Sequence, residues 1–442
     1  MEGYGAMLKK ATIQVGARMS LGSCWKRWLA ACAGVALGSA ALGCSSVAEG
    51  ERESVGVNAG SLTPEAWRNF GHLTNTKQKP HEPMSGTNVS FPIADEPIAF
   101  ATVPLMSTVA VRNSSDKKYY LRTIITYNDS LWAKFDGKAF SSPPAATHFA
   151  AYSDGASVPN PYSFAIAGKH TTIAGNTDSA KIFVMIGTAY NGADSANPQP
   201  PTAGTWAEIS SHAYTNPGEG YPALSTSGSR VVLALRAVDS SPGVNQQRIF
   251  TFHRSTSAGG AWSSRISAPL FPSGMVPMGT PALAYLKDAE DSSYANRFVI
   301  MTRLQSGGLA WILYNPSAVN AWGSWLQAFI PTPLTSDPAV DWDPTHKIMT
   351  LYFKITAGDG QTEVLNTSVP NPGGLGAYPF HYIDQLGDAT LYGSPRATMG
   401  GGREVTRRML VFRGYTPSTP VGERDRTIVY AQDIPGWYPP FW

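Results

Sequence analysis

The chain has 442 residues, of which 11% are aromatic and 15% charged, and its 34 basic and 31 acidic side chains give a formal net charge of +3. This composition is typical of an ordered globular protein and excludes a largely disordered chain. Residues 1–43 contain five of the basic side chains and one acidic side chain, which leaves 29 basic and 30 acidic residues in the rest. Because nucleic-acid binding requires clustered positive charge, we expect no nucleic-acid partner.

The N-terminal segment Trp28–Gly43 is apolar or small throughout and follows Lys26 and Arg27. It is too short to span a bilayer of about 30 Å, and its pattern is typical of a signal peptide. A signal that starts at Met19 has the ordinary proportions, so both Met1 and Met19 remain as candidate start residues.

This segment ends in Ala41-Leu42-Gly43-Cys44, which resembles the lipobox of bacterial lipoproteins. The resemblance implies cleavage after residue 43, lipidation of Cys44 and attachment to a membrane through the acyl chains. Ser45, in place of an aspartate, favours the outer membrane of a Gram-negative bacterium. An ordinary signal peptide and a buried helix are the alternatives. Since Cys24 and Cys32 lie in the removed segment, we expect no intramolecular disulfide.

Three regions follow from the composition along the chain. They are the lipoprotein signal peptide 1–43, an acylated N-terminus with a flexible linker over 44–90, and a β-rich domain over 91–442. The pattern predicts one short helix within the linker, with Thr63 as its N-cap, Pro64 in its first turn, Trp67 and Phe70 on one face, and its end near Gly71.

The third region contains short runs of β-forming residues separated by Gly, Pro, Asn, Asp and Ser, which predicts an all-β fold. A proline followed by a small or basic residue recurs at 222, 281, 338 and 395, with spacings of 59, 57 and 57 residues. Two weaker copies are predicted to open at Pro97 and Pro161. In the second of these, Ile182–Ile186 is the expected second strand.

Most of these repeat units end at a tryptophan. The residues are Trp132, Trp206, Trp262, Trp322 and Trp437. Six units of about 58 residues, none able to bury both faces alone, predict a six-bladed β-propeller of four-stranded antiparallel blades. Two β-sandwich domains are the alternative, although they do not explain the even spacing. We expect the domain to be a monomer.

Within the third unit, Ser255–Trp262 (STSAGGAW) resembles the Asp-box of sialidases and related propellers, S-x-D-x-G-x-T-W. Ser255, Gly259 and Trp262 match, whereas Ser257 replaces the aspartate and Ala261 the threonine. The resemblance implies a turn between the third and fourth strands of a blade and no catalytic role for it. The fungal fucose-binding lectins are similar only in blade number and aromatic content.

Propellers bind ligands at one mouth of the central channel, where first strands begin and second strands end. Cationic residues recur at the predicted second-strand ends, and the sequence predicts that they bind an anionic ligand or else pair with neighbouring blades. Aromatic and basic residues near the first strands complete the predicted ligand-binding set. Its members are Arg112, Tyr221, Arg236, Arg303, Trp342, Lys354, Arg396 and Arg413.

Hydrolysis of a glycoside requires two carboxyl groups that flank the bond, or in sialidases a tyrosine nucleophile paired with a glutamate. Four residues are weak catalytic candidates by position, namely Glu219, Asp337, Asp341 and Tyr392. The stretch FPIADEPIAF at 91–100 lacks the early arginine that a sialidase has in a similar segment. Catalysis by that route is therefore not indicated.

We expect no cofactor and no metal site. DWDPTH at 341–346 offers two carboxylates and an imidazole, but a solvated turn is the preferred interpretation. The chain has no zinc-hydrolase, serine-esterase, phosphate-loop or dinucleotide motif.

The preferred hypothesis is a surface-anchored lipoprotein whose propeller binds carbohydrate or an anionic glycan. A sialidase-like glycoside hydrolase and a scaffold for protein partners in the cell envelope are the alternatives, because a propeller supports all three.

Overall fold

The structure is a computed structural model, and it describes residues 68–74, 91–103, 106–125, 132–148, 162–189, 201–240, 246–257, 260–328, 330, 332–344, 346–356, 362–378, 380–382, 390–400, 407–415, 417 and 419–433. All of them lie in the unit Val55–Trp442. Within those ranges the regular structure consists of β-strands and two short 3-10 helices, Pro372–Gly374 and Val421–Arg426. No α-helix occurs in them.

The strands form six antiparallel sheets of four strands each, numbered 1 to 6 here in the order of their first strands. Sheet 1 contains β2 (Ile98–Val103), β3 (Met106–Arg112), β4 (Tyr119–Ile125) and β5 (Ala133–Phe135). Sheet 2 contains β6 (Ala145–His148), β7 (Tyr162–Lys169), β8 (Ile182–Ala189) and β9 (Trp206–Glu208). Sheet 3 contains β10 (Ala223–Thr226), β11 (Arg230–Asp239), β12 (Gln246–Ser255) and β13 (Ile266–Ser267).

Sheet 4 contains β14 (Pro277–Leu286), β15 (Arg297–Leu304), β16 (Leu309–Tyr314) and β17 (Leu326–Ala328). Sheet 5 contains β18 (Ala339–Asp343), β19 (Ile348–Thr356), β20 (Thr362–Val369) and β21 (His381–Tyr382). Sheet 6 contains β22 (Thr390–Gly400), β23 (Arg407–Tyr415) and β24 (Thr427–Asp433), with β1 (Arg68–Thr74) as its outer strand.

The first strands of the sheets lie around one axis. Each contacts the first strands of its two neighbours, in the order β2, β6, β10, β14, β18, β22 and back to β2. The chain is therefore a β-propeller, and the prediction of an all-β fold with four-stranded antiparallel blades is confirmed. Two separate sandwiches would not bring these strands into one ring.

The hydrophobic core lies between adjacent sheets rather than inside any one of them. One cluster joins Val299 and Trp311 of sheet 4 to Leu351 and Phe353 of sheet 5, and the other clusters join neighbouring sheets in the same way. Because each sheet is covered on both faces, its central strands read as continuous apolar runs, as Val231–Leu235 does.

The outer strand of sheet 6 corrects the prediction for the linker. Arg68–Thr74 is not the end of a helix but a strand that pairs antiparallel with β24, and Thr74 lies opposite Thr427. The edge of β24 offers backbone groups with which another strand can form hydrogen bonds. This tertiary pairing overrides the helix signals around Pro64, because those signals reflect only the local sequence. Residues 63–67, on which that helix prediction also depended, lie outside the described residues.

Sheet 2 does not begin at Pro161, as the repeat had predicted. Its first strand is β6, which directly follows Pro144, whereas Pro161 precedes the second strand. Ile182–Ile186 consequently belongs to the third strand, β8, and not to the second. The repeat signal is irregular at this point, since Pro144 lies 47 residues after Pro97 and 78 residues before Pro222.

His148, at the end of β6, gives a pH test of this fold, because burial lowers the pKa of its imidazole to about 4. The unfolded chain binds this proton near pH 6.5, so acidification from pH 6.5 towards 4 lowers the free energy of unfolding, by at most about 1.4 kcal/mol per pH unit. We expect His148→Gln to reduce that slope, measured by urea unfolding at pH 7, 5.5 and 4.5. An unchanged slope in the variant would contradict the assignment.

Candidate functional site

All six second strands carry a cationic side chain at their last residue or within three residues of it, near the same face of the propeller. Each first strand begins at that face and each second strand returns to it. The residues concerned are Arg112, Lys169, Arg236, Arg303, Lys354 and Arg413. We call the region formed by these six side chains and by the loops that lead into the six first strands the channel mouth.

Each of these cations reaches the next sheet around the ring. The contacts are from Arg112 Nη1 to Phe140 O (2.7 Å), Lys169 Nζ to Glu219 O (2.7 Å), Arg236 Nε to Gly279 O (3.0 Å), Arg303 Nε to Asp337 Oδ1 (3.4 Å), Lys354 Nζ to Gly393 O (2.6 Å) and Arg413 Nη1 to Ala94 O (2.9 Å). Five of the acceptors are backbone carbonyls. The six side chains therefore brace each sheet against its neighbour, and we call them the inter-sheet braces.

Lys169 is the sixth brace, and the sequence analysis missed it because the second strand of sheet 2 was misplaced. Burial lowers the pKa of Lys169 to about 8, and nearby Glu219 opposes that shift. Its Nζ also lies 5.0 Å from the centre of the Tyr221 ring. The predicted ligand-binding role of the cations stays a prediction, since their observed contacts are structural.

Asp337 is held in place by sheet 4. Its Oδ2 accepts a hydrogen bond from Thr280 N (2.7 Å), while Arg303 lies beside its Oδ1. The neighbouring Gly279 has φ +67°, and a Cβ there would lie 1.7 Å from Asp337 Oδ1. Glycine is required at 279 because the carboxylate occupies that space.

Glu219 is also fixed by hydrogen bonds. It is buried, its Oε1 accepts from Gln247 Nε2 (2.7 Å), and its Oε2 accepts from Asn216 Nδ2 (3.0 Å). Both oxygens of this catalytic candidate are thus occupied within sheet 3 and the loop before it.

Asp95 and Glu96 form a carboxyl pair in the loop that leads into β2, and the sequence analysis did not select them. Asp95 contacts Arg112, and Glu96 Oε1 accepts a hydrogen bond from Ser394 N of sheet 6 (3.2 Å). Burial raises the pKa of Asp95 above its ordinary value; Glu96 adds to the rise, and Arg112 opposes it. Their position just before a first strand was the available signal, as it is for Asp337 before β18.

Tyr221 lies in the loop that leads into β10, the first strand of sheet 3. Its ring is half-buried, and its pKa is raised mainly by burial, with Asp95 and then Glu96 adding to the effect and Arg112 opposing it. These carboxylates therefore act electrostatically on a side chain that precedes the first strand of sheet 3.

A cavity of about 380 Å³ adjoins the mouth at sheet 6. It is lined by Tyr392, Arg413, Val421, Gly422, Arg424 and Asp425. Tyr392 is exposed, and the Arg413 guanidinium lies 5.5 Å from its ring centre. An exposed tyrosine beside a polar wall is suitable for stacking against a sugar ring.

Three predicted site residues lie inside the sheets instead. Trp342 is 6% exposed within the core between sheets 4 and 5, and its Nε1 donates to Lys287 O (3.0 Å), so it cannot stack on a ligand at the mouth. Asp341 is buried in β18 and accepts from Tyr352 OH (3.3 Å). Arg396 is buried in β22. The proline anchors had placed these residues near the starts of the first strands, at the mouth.

The DWDPTH segment forms a local contact, because His346 Nδ1 lies 2.7 Å from Asp343 Oδ2. No group of three metal-ligating side chains is found within the described ranges. In the same part of the chain, no helix has the length and apolar character needed to cross a membrane. Cys44 lies outside the described residues.

Comparison with known proteins found no matching protein-family model and no matching curated protein. Among solved structures, the chain is similar to an α-L-arabinofuranosidase of Fusarium graminearum (13% identity, TM-score 0.49, 83% of this chain and 98% of that chain). It is also similar to a Hadza microbial sialidase (13%, 0.45, 77% and 65%) and to AofleA of Arthrobotrys oligospora (10%, 0.47, 77% and 88%).

Proposed function

We propose that the protein is a glycoside hydrolase whose active site is the channel mouth, formed by six sheets acting as the six blades of one closed propeller. The observation that carries the proposal is the carboxyl pair Asp95 and Glu96. The pKa of Asp95 is raised by burial while a second carboxylate stands beside it. Acid-assisted cleavage of a glycosidic bond requires one carboxyl group that is protonated and a second carboxylate near it.

In this proposal the protonated Asp95 donates its proton to the leaving glycosidic oxygen. Glu96, whose Oε1 is oriented by Ser394 N, is the second carboxylate, which activates water or attacks the anomeric carbon. Tyr221 supplies a hydrogen-bonding group to sugar hydroxyls, and Tyr392 supplies an aromatic face in the adjoining cavity.

The experiment is a hydrolysis screen with the chain from Ser45 onward against neutral and acidic polysaccharides and fluorogenic glycosides. Release of reducing ends or fluorophore supports the proposal when it is lost in Asp95→Asn and Glu96→Gln. If Glu219→Gln abolished turnover and Asp95→Asn did not, the carboxyl pair would have been assigned wrongly.

Binding without turnover is the second candidate, and the contact between Asp95 and Arg112 favours it. A guanidinium beside a carboxylate stabilises the charged form and so opposes the protonation that catalysis needs. A glycan-array screen of the same protein distinguishes the two: glycan capture with no release of product would favour the binding module.

We also propose that Cys44 carries the acyl chains that anchor the propeller to a membrane, as the lipobox resemblance implies. Cys44→Ala is expected to abolish incorporation of labelled palmitate and to move the protein from the membrane fraction to the soluble fraction. Ser45→Ala, one residue away, should leave both unchanged. Palmitate incorporation that persisted in Cys44→Ala would exclude this anchor.

A further inference from the structure

The loop that leads into β2 carries both carboxyl groups of the proposed active site. We call this segment, residues 91–97, the carboxyl loop. On one side it is held by β3 and the turn after it, because Ala94 N donates to Arg112 O (2.9 Å) and Ser114 N donates to Pro92 O (2.8 Å). These backbone bonds fix the loop to its own sheet.

On its other side the carboxyl loop is held by sheet 6 and by the 3-10 helix between β23 and β24. Three hydrogen bonds connect them, namely Ile93 N to Asp425 O (2.8 Å), Arg413 Nη1 to Ala94 O (2.9 Å) and Ser394 N to Glu96 Oε1 (3.2 Å). A Cβ at Gly393 would collide with the Glu96 carboxylate, so the loop also packs closely on this sheet. The position of the carboxyl pair therefore depends on sheet 6 as well as on sheet 1.

Arg413 makes the one bond of these three in which a side chain donates to the backbone of the loop. It lies on β23 opposite Tyr392 of β22, and its guanidinium lies 5.5 Å from the centre of the Tyr392 ring. The ring and the carbonyl of Ala94 hold the guanidinium from two sides. A substitution at Arg413 removes this connection without changing the backbone or the carboxyl groups themselves.

The charge of Arg413 also acts on Asp95. The charged or titratable groups that influence Asp95 electrostatically include Glu96, Arg112, Tyr119, Tyr221 and Arg413. Burial is the main cause of the raised pKa of Asp95, and Arg112 and then Arg413 oppose the rise. Since burial raises the pKa of both tyrosines, they carry no charge at neutral pH. Removal of the Arg413 charge should therefore raise the pKa of Asp95 further.

From these contacts we propose that Arg413 is a positioning residue of the proposed active site, because its hydrogen bond to Ala94 O holds the carboxyl loop against sheet 6. The inference rests on the proposed hydrolase function and extends it to a side chain of a neighbouring sheet. The other five inter-sheet braces join sheets at places away from the bond between Arg413 and Ala94. Arg413 thus has a role in the geometry of the carboxyl pair as well as in the closure of the ring.

The experiment compares Arg413→Met with Arg230→Met as the matched control. Arg230 is also half-buried, and its Nη1 donates to a backbone carbonyl of the next sheet, Pro316 O (2.8 Å), but it begins β11 on the face opposite the mouth. The first measurement is hydrogen exchange of the peptide that covers residues 91–97, which requires no turnover. We expect exchange about fivefold or more faster in Arg413→Met and changed less than about twofold in Arg230→Met.

The second measurement is hydrolysis, with kcat and KM determined separately. We expect kcat to fall by about 10- to 100-fold in Arg413→Met with a smaller change in KM, because the carboxyl groups are displaced from the bond they cleave. The alkaline limb of the pH profile should move to higher pH, since the pKa of Asp95 rises. Arg413→Lys keeps the positive charge, so its limb should stay close to that of the wild type.

Arg413→Gln replaces Arg413→Met if the methionine variant does not fold, and it should give the same results. Unchanged exchange over residues 91–97 would overturn the proposal. An equal loss of kcat in Arg230→Met, or an alkaline limb that does not move in the neutral variants, would also overturn it. Absence of hydrolysis by the wild type would instead contradict the proposed function, and the exchange measurement would still decide whether Arg413 holds the loop.

Discussion

Asp95→Asn is expected to lower kcat/KM for glycoside hydrolysis by about 10²- to 10⁴-fold, the range typical of a general acid. The asparagine side chain is nearly the same size but has no proton that it can donate at neutral pH. Because burial and Glu96 raise the pKa of Asp95, wild-type activity should fall as the pH rises above that pKa. The residual activity of the variant should have lost this alkaline limb, which a pH profile of kcat/KM measures.

Asp337→Asn is the matched control for this variant. Asp337 lies beside Arg303 as Asp95 lies beside Arg112, and it also precedes a first strand. Asparagine keeps one oxygen that can accept from Thr280 N but removes the negative charge beside Arg303, so the free energy of unfolding should fall by about 1–3 kcal/mol while turnover persists. Equal loss of turnover in both variants, with equal loss of stability, would show that Asp95 acts only as a structural partner.

Lys354→Met is expected to lower the free energy of unfolding by about 2–5 kcal/mol. The Lys354 ammonium donates to Leu391 O (3.0 Å) and Gly393 O (2.6 Å) across the boundary between sheets 5 and 6. Methionine retains much of the apolar stem but leaves both carbonyls without this donor, at about 1–3 kcal/mol each. The shift in the urea midpoint at constant m-value measures the effect.

A competing effect makes this variant informative. Burial lowers the pKa of Lys354, so its charge is itself costly inside the protein, and replacing a buried ion by an apolar side chain is sometimes stabilising. Lys134→Met, at an exposed lysine of sheet 1, is the control and should change stability by less than about 0.5 kcal/mol. If the free energy of unfolding were higher in Lys354→Met than in the wild type, the cost of burying the Lys354 charge would exceed the stabilisation from its two hydrogen bonds.

The sequence predicted the propeller because its repeat has a physical origin. Each sheet needs both neighbours to bury its faces, so apolar strands and proline-led first strands recur at an even spacing. The prediction was wrong where that spacing is interrupted. Sheet 2 begins at Ala145, directly after Pro144. Pro144-Ala145 matches the other anchors in type, but the distances of Pro144 from Pro97 and Pro222 are far from 58 residues.

The candidate site was predictable only in part, for a reason that the braces illustrate. The sequence placed cations such as Arg236 and Lys354 at second-strand ends, but five of the six acceptors are backbone carbonyls of another sheet. Because every residue has a backbone carbonyl, the sequence does not show which carbonyl will accept the side-chain hydrogen bond. The carboxyl pair was accessible to prediction, since Asp95 and Glu96 precede a first strand as Asp337 does.

The pairing of β1 with β24 ties Arg68–Thr74 to a strand that ends at Asp433. This pairing joins two segments that are far apart in the sequence, so sheet 6 can be completed only after β24 has been synthesised. Pairing between such distant segments is slow, and it couples the two ends thermodynamically. A truncated protein that starts at Phe91 would expose the edge of β24, and its solubility and cooperative unfolding should suffer even though every mouth residue is retained.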